Sequence, residues 1–144
     1  MAGFSYTVTV PRPPEAVFPW LFEADKAPQW TGNLEAYEVV GGPLGTGSKV
    51  RQQLRVSGEL IRFELEITRY DPPRSAESRF SISGIEVVTG YALAPDGSGT
   101  RLTQTIEGRA SGFKARVLVP IVQPRLERKL TEDLERLRGI LSAA

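Results

Sequence analysis

The N-terminal segment of the chain alternates strictly between apolar and polar side chains. Four apolar residues are separated by serine and threonine, and they are Phe4, Tyr6, Val8 and Val10. Because successive side chains of a strand point to opposite faces, a period of two indicates a strand with one buried face. The pattern stops at Pro11, so we predict a first strand over residues 4–10.

Two short helices are predicted between this strand and the next. Pro14 suits the first turn of a helix, where a missing N–H group costs little, and Val17 and Leu21 then share one helical face. Asp25 is expected to cap a second short helix that ends near Trp30, because a carboxylate at that position can accept from free backbone amides.

Residues 34–107 show strand-like alternation that turn-forming residues interrupt at regular intervals. Closely spaced turns of this kind predict successive hairpins and hence an antiparallel meander. The interruptions lie at residues 41–43, 57–58, 71–73, 83–84 and 95–99. Between them, apolar residues such as Val50 and Leu54 alternate with charged residues such as Arg51 and Arg55, which predicts one dry and one wet face.

Glu64 and Glu66 lie two residues apart and therefore share one face of their predicted strand. Two carboxylates in this arrangement could in principle serve acid–base or metal chemistry. Because the residues between and beside them form the apolar set, the carboxylates are expected in water, paired across strands with Arg51, Arg55 or Arg79.

After residue 112 the apolar period lengthens to three or four, which is typical of a long amphipathic helix. The repeating residues are Leu126, Leu130, Leu134, Leu137 and Leu141. Acidic residues interleaved with arginines are expected on its solvated face, and they are Glu127, Glu132, Asp133 and Glu135. Proline removes a helical hydrogen-bond donor, so Pro120 and Pro124 predict a kinked or separately started turn over residues 113–122.

Composition narrows the possible functions. The chain has 144 residues, 40% of them apolar, which suits one globular domain over 1–144 with a core and a cavity. Its 18 Lys and Arg against 17 Asp and Glu form no basic stripe, so no nucleic-acid partner is expected. No apolar run is long enough to span a bilayer and no secretory pattern is visible, so a cytoplasmic location is expected.

Cysteine and histidine are both absent from the sequence. Their absence removes thiolate and imidazole metal ligands, cysteine nucleophiles and the commonest general base. We therefore predict no metal site, no cofactor and no catalytic residue.

The order of predicted elements resembles the helix-grip architecture of the START-like or SRPBCC superfamily, and three segments resemble its polyketide cyclase/dehydrase branch. These segments are VTVPRPPEAVF at residues 8–18, the span from Asp25 to Trp30, and ITRYDPPR at residues 67–74. The resemblance covers essentially the whole chain. It implies an α+β fold in which a curved antiparallel sheet of about seven strands wraps around a long C-terminal helix, with two short helices after the first strand.

A curved sheet cannot touch a straight helix everywhere, so the gap holds large side chains or a cavity. Inward positions of modest size favour a cavity, and they are Ser78, Val87, Thr89 and Gly108. A fully packed core without a ligand is the alternative. The candidate ligand-binding residues are Trp30, Gln52, Phe63, Ser78, Phe80, Tyr91, Gln104, Val122 and Leu126.

Three of these candidates have two interpretations each. Gln52 and Gln104 occupy inward positions between apolar neighbours, and a buried amide needs partners. Each amide either bonds to Tyr91, Ser78 or the backbone, or orients the oxygen atoms of a ligand. Trp30, at a helix end beside a glycine, is either a lid over the pocket or part of the core.

The sequence favours binding or transport of a hydrophobic small molecule, such as a lipid or a polyketide-like aromatic metabolite, in an internal cavity. A first alternative is a polyketide aromatase/cyclase that uses Tyr91, Tyr37 and the inward glutamines for proton transfer. The absence of histidine and of a clearly inward carboxylate or arginine makes an enzyme less favoured. A second alternative is a regulatory or toxin–antitoxin interaction partner, which would require an exposed apolar patch around residues 113–122.

Overall fold

One antiparallel sheet forms the body of the molecule. The computed structural model describes residues 3–56, 58–82, 84–110 and 112–143. Within them, seven strands follow the order β1-β7-β6-β5-β4-β3-β2. Strands β2 to β7 form a meander, and β1 pairs with β7 at one edge of the sheet. The strands are β1 (Phe4–Val10), β2 (Leu34–Val40), β3 (Lys49–Val56), β4 (Glu59–Asp71), β5 (Ser75–Ile82), β6 (Ile85–Asp96) and β7 (Gly99–Ala110). The predicted helix-grip fold is confirmed, while residues 57 and 83 in two predicted turns lie outside the described residues.

Short helices follow β1 as predicted, but the second begins differently. They are α1 (Pro14–Val17), a 3₁₀ turn (Phe18–Trp20) and α2 (Ala27–Trp30). The prediction that Asp25 caps α2 is wrong, because Lys26 occupies the cap position and no side chain caps the helix. A proline in the first turn of α2 needs no such partner for its nitrogen. The backbone carbonyl of Asp25 instead accepts from Gln29 Nε2 at 2.7 Å.

The C-terminal helix α3 (Phe113–Ser142) runs without interruption and contains both prolines. A separately started turn over residues 113–122 is therefore a wrong prediction. Pro120 and Pro124 lie four residues apart on an exposed side of the helix. Water can reach backbone carbonyls on that side, which compensates for the two missing N–H donors.

The C-terminal half of α3 carries most of the packing between helix and sheet. Its leucines Leu130, Leu134, Leu137 and Leu141 are all buried in the main core. The helix contacts β1, β7 and α2. Arg12 Nε donates to the carbonyl of Leu141 at 2.9 Å, and the Tyr6 hydroxyl donates to Glu135 at 2.6 Å. Both bonds join the end of α3 to the chain around β1.

The register of β3 and β4 pairs inward-facing residues with inward-facing ones and outward-facing residues with outward-facing ones. Gln52 pairs with Phe63, and Arg51 pairs with Glu64. On the wet face Arg51 Nε lies 3.0 Å from Glu64, and Arg79 Nη2 lies 3.5 Å from Glu66. The expected pairing of the two carboxylates with arginines is confirmed.

Substituting Glu64→Gln or Glu66→Gln is expected to change the free energy of unfolding by less than about 1 kcal/mol, because exposed ion pairs contribute little. Urea unfolding of both variants measures this. A much larger loss of stability would mean that the charged face of the sheet is not the solvated one.

Candidate ligand-binding cavity

Two adjoining chambers lie between the sheet and α3. The first, here called the polar chamber, has a volume of about 140 Å³. Its polar lining residues are Thr31, Tyr37, Gln52, Thr89, Tyr91, Gln104, Lys129 and Asp133. The second, here called the apolar chamber, has a volume of about 290 Å³, and Arg125 and Lys129 are the only charged residues among the described ones that line it. Leu54, Leu126 and Lys129 line both chambers, so the two spaces are neighbours.

Eight of the nine candidate residues line one chamber or both. Those at the polar chamber are Trp30, Gln52, Phe63, Tyr91, Gln104 and Leu126. Those at the apolar chamber are Phe80, Val122 and Leu126. Phe63 and Phe80 pack with ring centroids 4.6 Å apart, which joins the walls of the two chambers. Ser78 is only 2% exposed and lines neither chamber.

Gln104 is the central polar group of the first chamber. It is 8% exposed and lies opposite Tyr91 in the β6–β7 register. Its Nε2 donates to the Tyr91 hydroxyl at 3.2 Å, which is one of the predicted arrangements. Its Oε1 is buried without a hydrogen-bond partner among the described residues. Such an unpaired acceptor is uncommon in a folded interior and costs free energy.

The two phenols of the polar chamber, buried Tyr91 and half-buried Tyr37, remain protonated near neutral pH. Burial raises the pKa of Tyr91, and the negative charge of Asp133 raises it further. Burial also raises the pKa of Tyr37, whose hydroxyl donates to the carbonyl of Phe22 at 2.5 Å. Both groups can donate hydrogen bonds, but neither is suited to act as a general base.

Asp133 is the residue whose location the sequence analysis predicted wrongly. It was expected on the solvated face of α3, yet it is 8% exposed and lines the polar chamber. Asp133 Oδ1 accepts from the backbone N–H of Gly32 at 3.0 Å and from Arg136 Nη1 at 2.9 Å. Asp133 Oδ2 accepts from Lys129 Nζ at 2.6 Å. Three donors thus compensate for the burial of its charge.

The two cations around Asp133 also bind the backbone after α2. Lys129 Nζ donates to the carbonyl of Gly32 at 3.0 Å, and Arg136 Nη1 donates to the carbonyl of Trp30 at 2.9 Å. A Cβ atom at Gly32 would lie 3.1 Å from Asp133 Oδ1, so the close approach favours glycine there. We call this set (Gly32, Lys129, Asp133 and Arg136) the Asp133 clamp.

Trp30 forms a fixed wall of the polar chamber. It is 4% exposed, and its Nε1–H donates to the carbonyl of Trp20 at 2.8 Å. Together with the bond from Arg136 to its backbone, this contact holds the end of α2 against α3. A lid function for Trp30 stays a prediction.

An exposed apolar stripe occupies the first turns of α3, within the segment 113–122 highlighted by the sequence. Phe113 is 81% exposed, and Val117 and Ile121 follow at intervals of four residues. The next side chains around the helix, Leu118 and Val122, line the apolar chamber.

Comparison with known families agrees with this architecture. A family model described as "Polyketide cyclase / dehydrase and lipid transport" matches residues 1–141. The chain belongs to this family. Its membership supports the binding of hydrophobic ligands in general terms. Among curated proteins, none matches the sequence significantly.

Solved structures share the fold of this family member at low sequence identity. Ara h 8.0201 superposes with a TM-score of 0.79 at 16% identity, covering 97% of each chain. The protein TTHA0849 from Thermus thermophilus superposes with a TM-score of 0.78 at 18% identity, covering 96% of this chain and 95% of the other. The protein CV1439 from Chromobacterium violaceum superposes with a TM-score of 0.75 at 17% identity over the full length of both chains. These similarities establish the fold alone.

The described residues of this family member contain neither a membrane-spanning helix nor a metal-binding cluster. No helix there is long and apolar enough to cross a membrane. The same residues contain no group of three or more acidic side chains that could hold a metal ion.

Substituting Asp133→Asn should lower the free energy of unfolding by about 2 kcal/mol, because it removes the buried charged acceptor shared by the Gly32 amide, Lys129 and Arg136. Glu132→Gln is the matched control, since Glu132 is exposed on the same helix and should change stability by less than about 0.5 kcal/mol. Chemical denaturation of both variants measures the difference. Equal, small effects would contradict a structural role for the Asp133 clamp.

Proposed function

We propose that this protein binds or transports a hydrophobic small molecule, such as a lipid or a polyketide-like aromatic metabolite, in the two chambers. The observation that carries the proposal is the apolar chamber of about 290 Å³ between the sheet and α3. Pockets of this composition, with a few convergent polar groups nearby, are typical of small-molecule sites. Membership of a family described by polyketides and lipid transport supports the same class of ligand.

The roles of the candidate residues follow from their positions. Phe63, Phe80, Val122 and Leu126 contact the apolar body of the ligand, and Trp30 closes the far wall. Gln52, Tyr91 and Gln104 contact its polar end. Ser78 shapes the site indirectly, because its cross-strand partner Thr89 lines the polar chamber.

The chamber volumes indicate the size of the ligand. An engineered cavity of about 150 Å³ accommodates one benzene molecule, so the polar chamber is large enough for about one six-membered ring. The apolar chamber offers about twice that space. A compound of about two or three fused rings, or an alkyl chain of similar volume, suits the pair.

A carrier is supported over an aromatase/cyclase by the state of the polar groups. The raised pKa values of Tyr37 and Tyr91 leave both phenols protonated, and both oxygens of Asp133 already accept hydrogen bonds from the clamp. Each of these groups is thus poorly placed to remove a proton from a ligand. The near balance of 18 basic and 17 acidic residues supports a protein without a nucleic-acid partner. A cytoplasmic location stays a prediction.

Titration with the uncharged fluorophore phenylnaphthylamine should show saturable binding with a stoichiometry near one. Val122→Trp places an indole in the apolar chamber and should weaken binding by about tenfold or more, equivalent to at least ~1.4 kcal/mol. Val117→Trp is the matched control, because Val117 is exposed on the same helix, and it should leave the affinity within about twofold.

Two results would contradict a carrier. One is the absence of saturable uptake by folded wild-type protein. The other is an equal loss of affinity in the Val117 and Val122 variants, which would place the probe on the exposed stripe of α3 instead of inside the chamber.

A further inference from the structure

The polar chamber contains a hydrogen-bond acceptor that the protein itself does not use. Gln104 is more than nine-tenths buried, and its Oε1 has no partner among the described residues although its Nε2 is bonded to Tyr91. A buried acceptor of this kind is stabilised when a donor reaches it. The chamber is large enough to admit one.

The neighbouring phenol offers the complementary group. Tyr91 accepts the bond from Gln104 Nε2 through its oxygen, and no described residue accepts its hydroxyl hydrogen. The chamber therefore presents an acceptor, Gln104 Oε1, beside a donor, the Tyr91 hydroxyl. Rotation of the amide by 180° would exchange the roles of the two residues, yet it would still leave one acceptor and one donor free.

We propose that the Gln104–Tyr91 pair recognises a hydroxyl group, so that the ligand is a hydroxylated hydrophobic compound, either a phenol or an alcohol. A hydroxyl is the small neutral group that donates one hydrogen bond and accepts another through the same oxygen. It donates to Gln104 Oε1 and accepts from Tyr91 Oη. This inference rests on the proposed function, since it assigns the polar end of the same ligand.

Other oxygen-containing groups fit the pair less well. A ketone or an ether accepts from Tyr91 but leaves Gln104 Oε1 unpaired. A carboxylate also lacks a hydrogen for Gln104 and adds the cost of a buried charge. Sites built around a hydroxyl discriminate against analogues without it, because buried protein groups are then left without partners.

The test compares three ligands of one shape: naphthalene, naphthol and methoxynaphthalene. Their affinities are obtained by displacement of phenylnaphthylamine from the wild type, from Gln104→Leu and from the double variant Gln104→Leu/Tyr91→Phe. Naphthol should lose about tenfold in affinity in both variants, equivalent to about 1.4 kcal/mol, while naphthalene should change by less than about twofold. Methoxynaphthalene, which has no hydrogen to donate, should be little affected by Gln104→Leu.

Two controls keep the comparison interpretable. Gln53→Leu makes the same change on the opposite face of β3 from Gln52 and should alter no affinity. The double variant replaces both members of the pair by apolar groups of similar shape, so it should fold with an unchanged or higher melting temperature. It therefore reports on binding even if the single variant is destabilised by its unpaired tyrosine.

The outcomes distinguish this inference from the carrier proposal. If naphthalene and naphthol lose affinity equally, or if naphthol loses none, hydroxyl recognition is overturned while cavity binding stands. If methoxynaphthalene loses as much as naphthol, the donor role of the ligand is overturned. If no ligand displaces the fluorophore from the wild type, the carrier proposal itself fails.

Discussion

Helix α3 is held to the curved sheet mainly by the leucines of its C-terminal half. There Leu134 and Leu137 are fully buried, and Arg12 and Tyr6 hydrogen-bond to the helix from the chain around β1. Toward Phe113 the packing is sparser. Ala115 is still buried against Ile85 and Val87, but Phe113 and Val117 are exposed. Interiors pack densely wherever side chains can reach one another, so the space left at this end is a consequence of geometry. The apolar chamber lies toward this end, beside Leu118 and Val122, whereas the polar chamber extends along α3 as far as Asp133.

The Asp133 clamp lies beside the polar chamber and joins α3 to the backbone at the end of α2. A buried carboxylate is tolerated only when donors replace its hydration, and here a backbone amide, a lysine and an arginine do so. Because Lys129 and Arg136 also bind the backbone of residues 30–32, the clamp holds α2 and Trp30 at the chamber wall. Burial is the larger cause of the raised pKa of Tyr91, and the negative charge of Asp133 raises it further. This ionic cluster therefore holds one wall of the chamber and adds to the effect of burial on its phenol.

The sequence predicted those features that depend on local pattern. The alternation around Gln52 and Phe63 placed both side chains on the inner face, and the register of β3 and β4 agrees. Asp133 was missed because it was considered only as one of several interleaved charges. Its position three residues after Leu130 and four before Leu137 places it at the edge of the buried stripe, which is the signal that could have located it. The chamber volumes could not be predicted, because they depend on the distance between helix and sheet, which no local pattern specifies.

If a ligand fills both chambers as proposed, the apolar chamber contributes mainly to its affinity and the polar chamber mainly to its orientation. Apolar contacts in the larger chamber are non-directional, so they stabilise any hydrophobic body of suitable volume. In the proposed carrier, hydrogen bonds in the smaller chamber are directional and costly when unmet, so they would orient the polar end of the ligand there. A larger side chain at Val87, which lines the apolar chamber, would fill part of this space, and filling cavities commonly stabilises a fold. In the proposed carrier the space beside Val87 is left for the ligand, and stability comes from the leucines and the Asp133 clamp in the C-terminal half of α3.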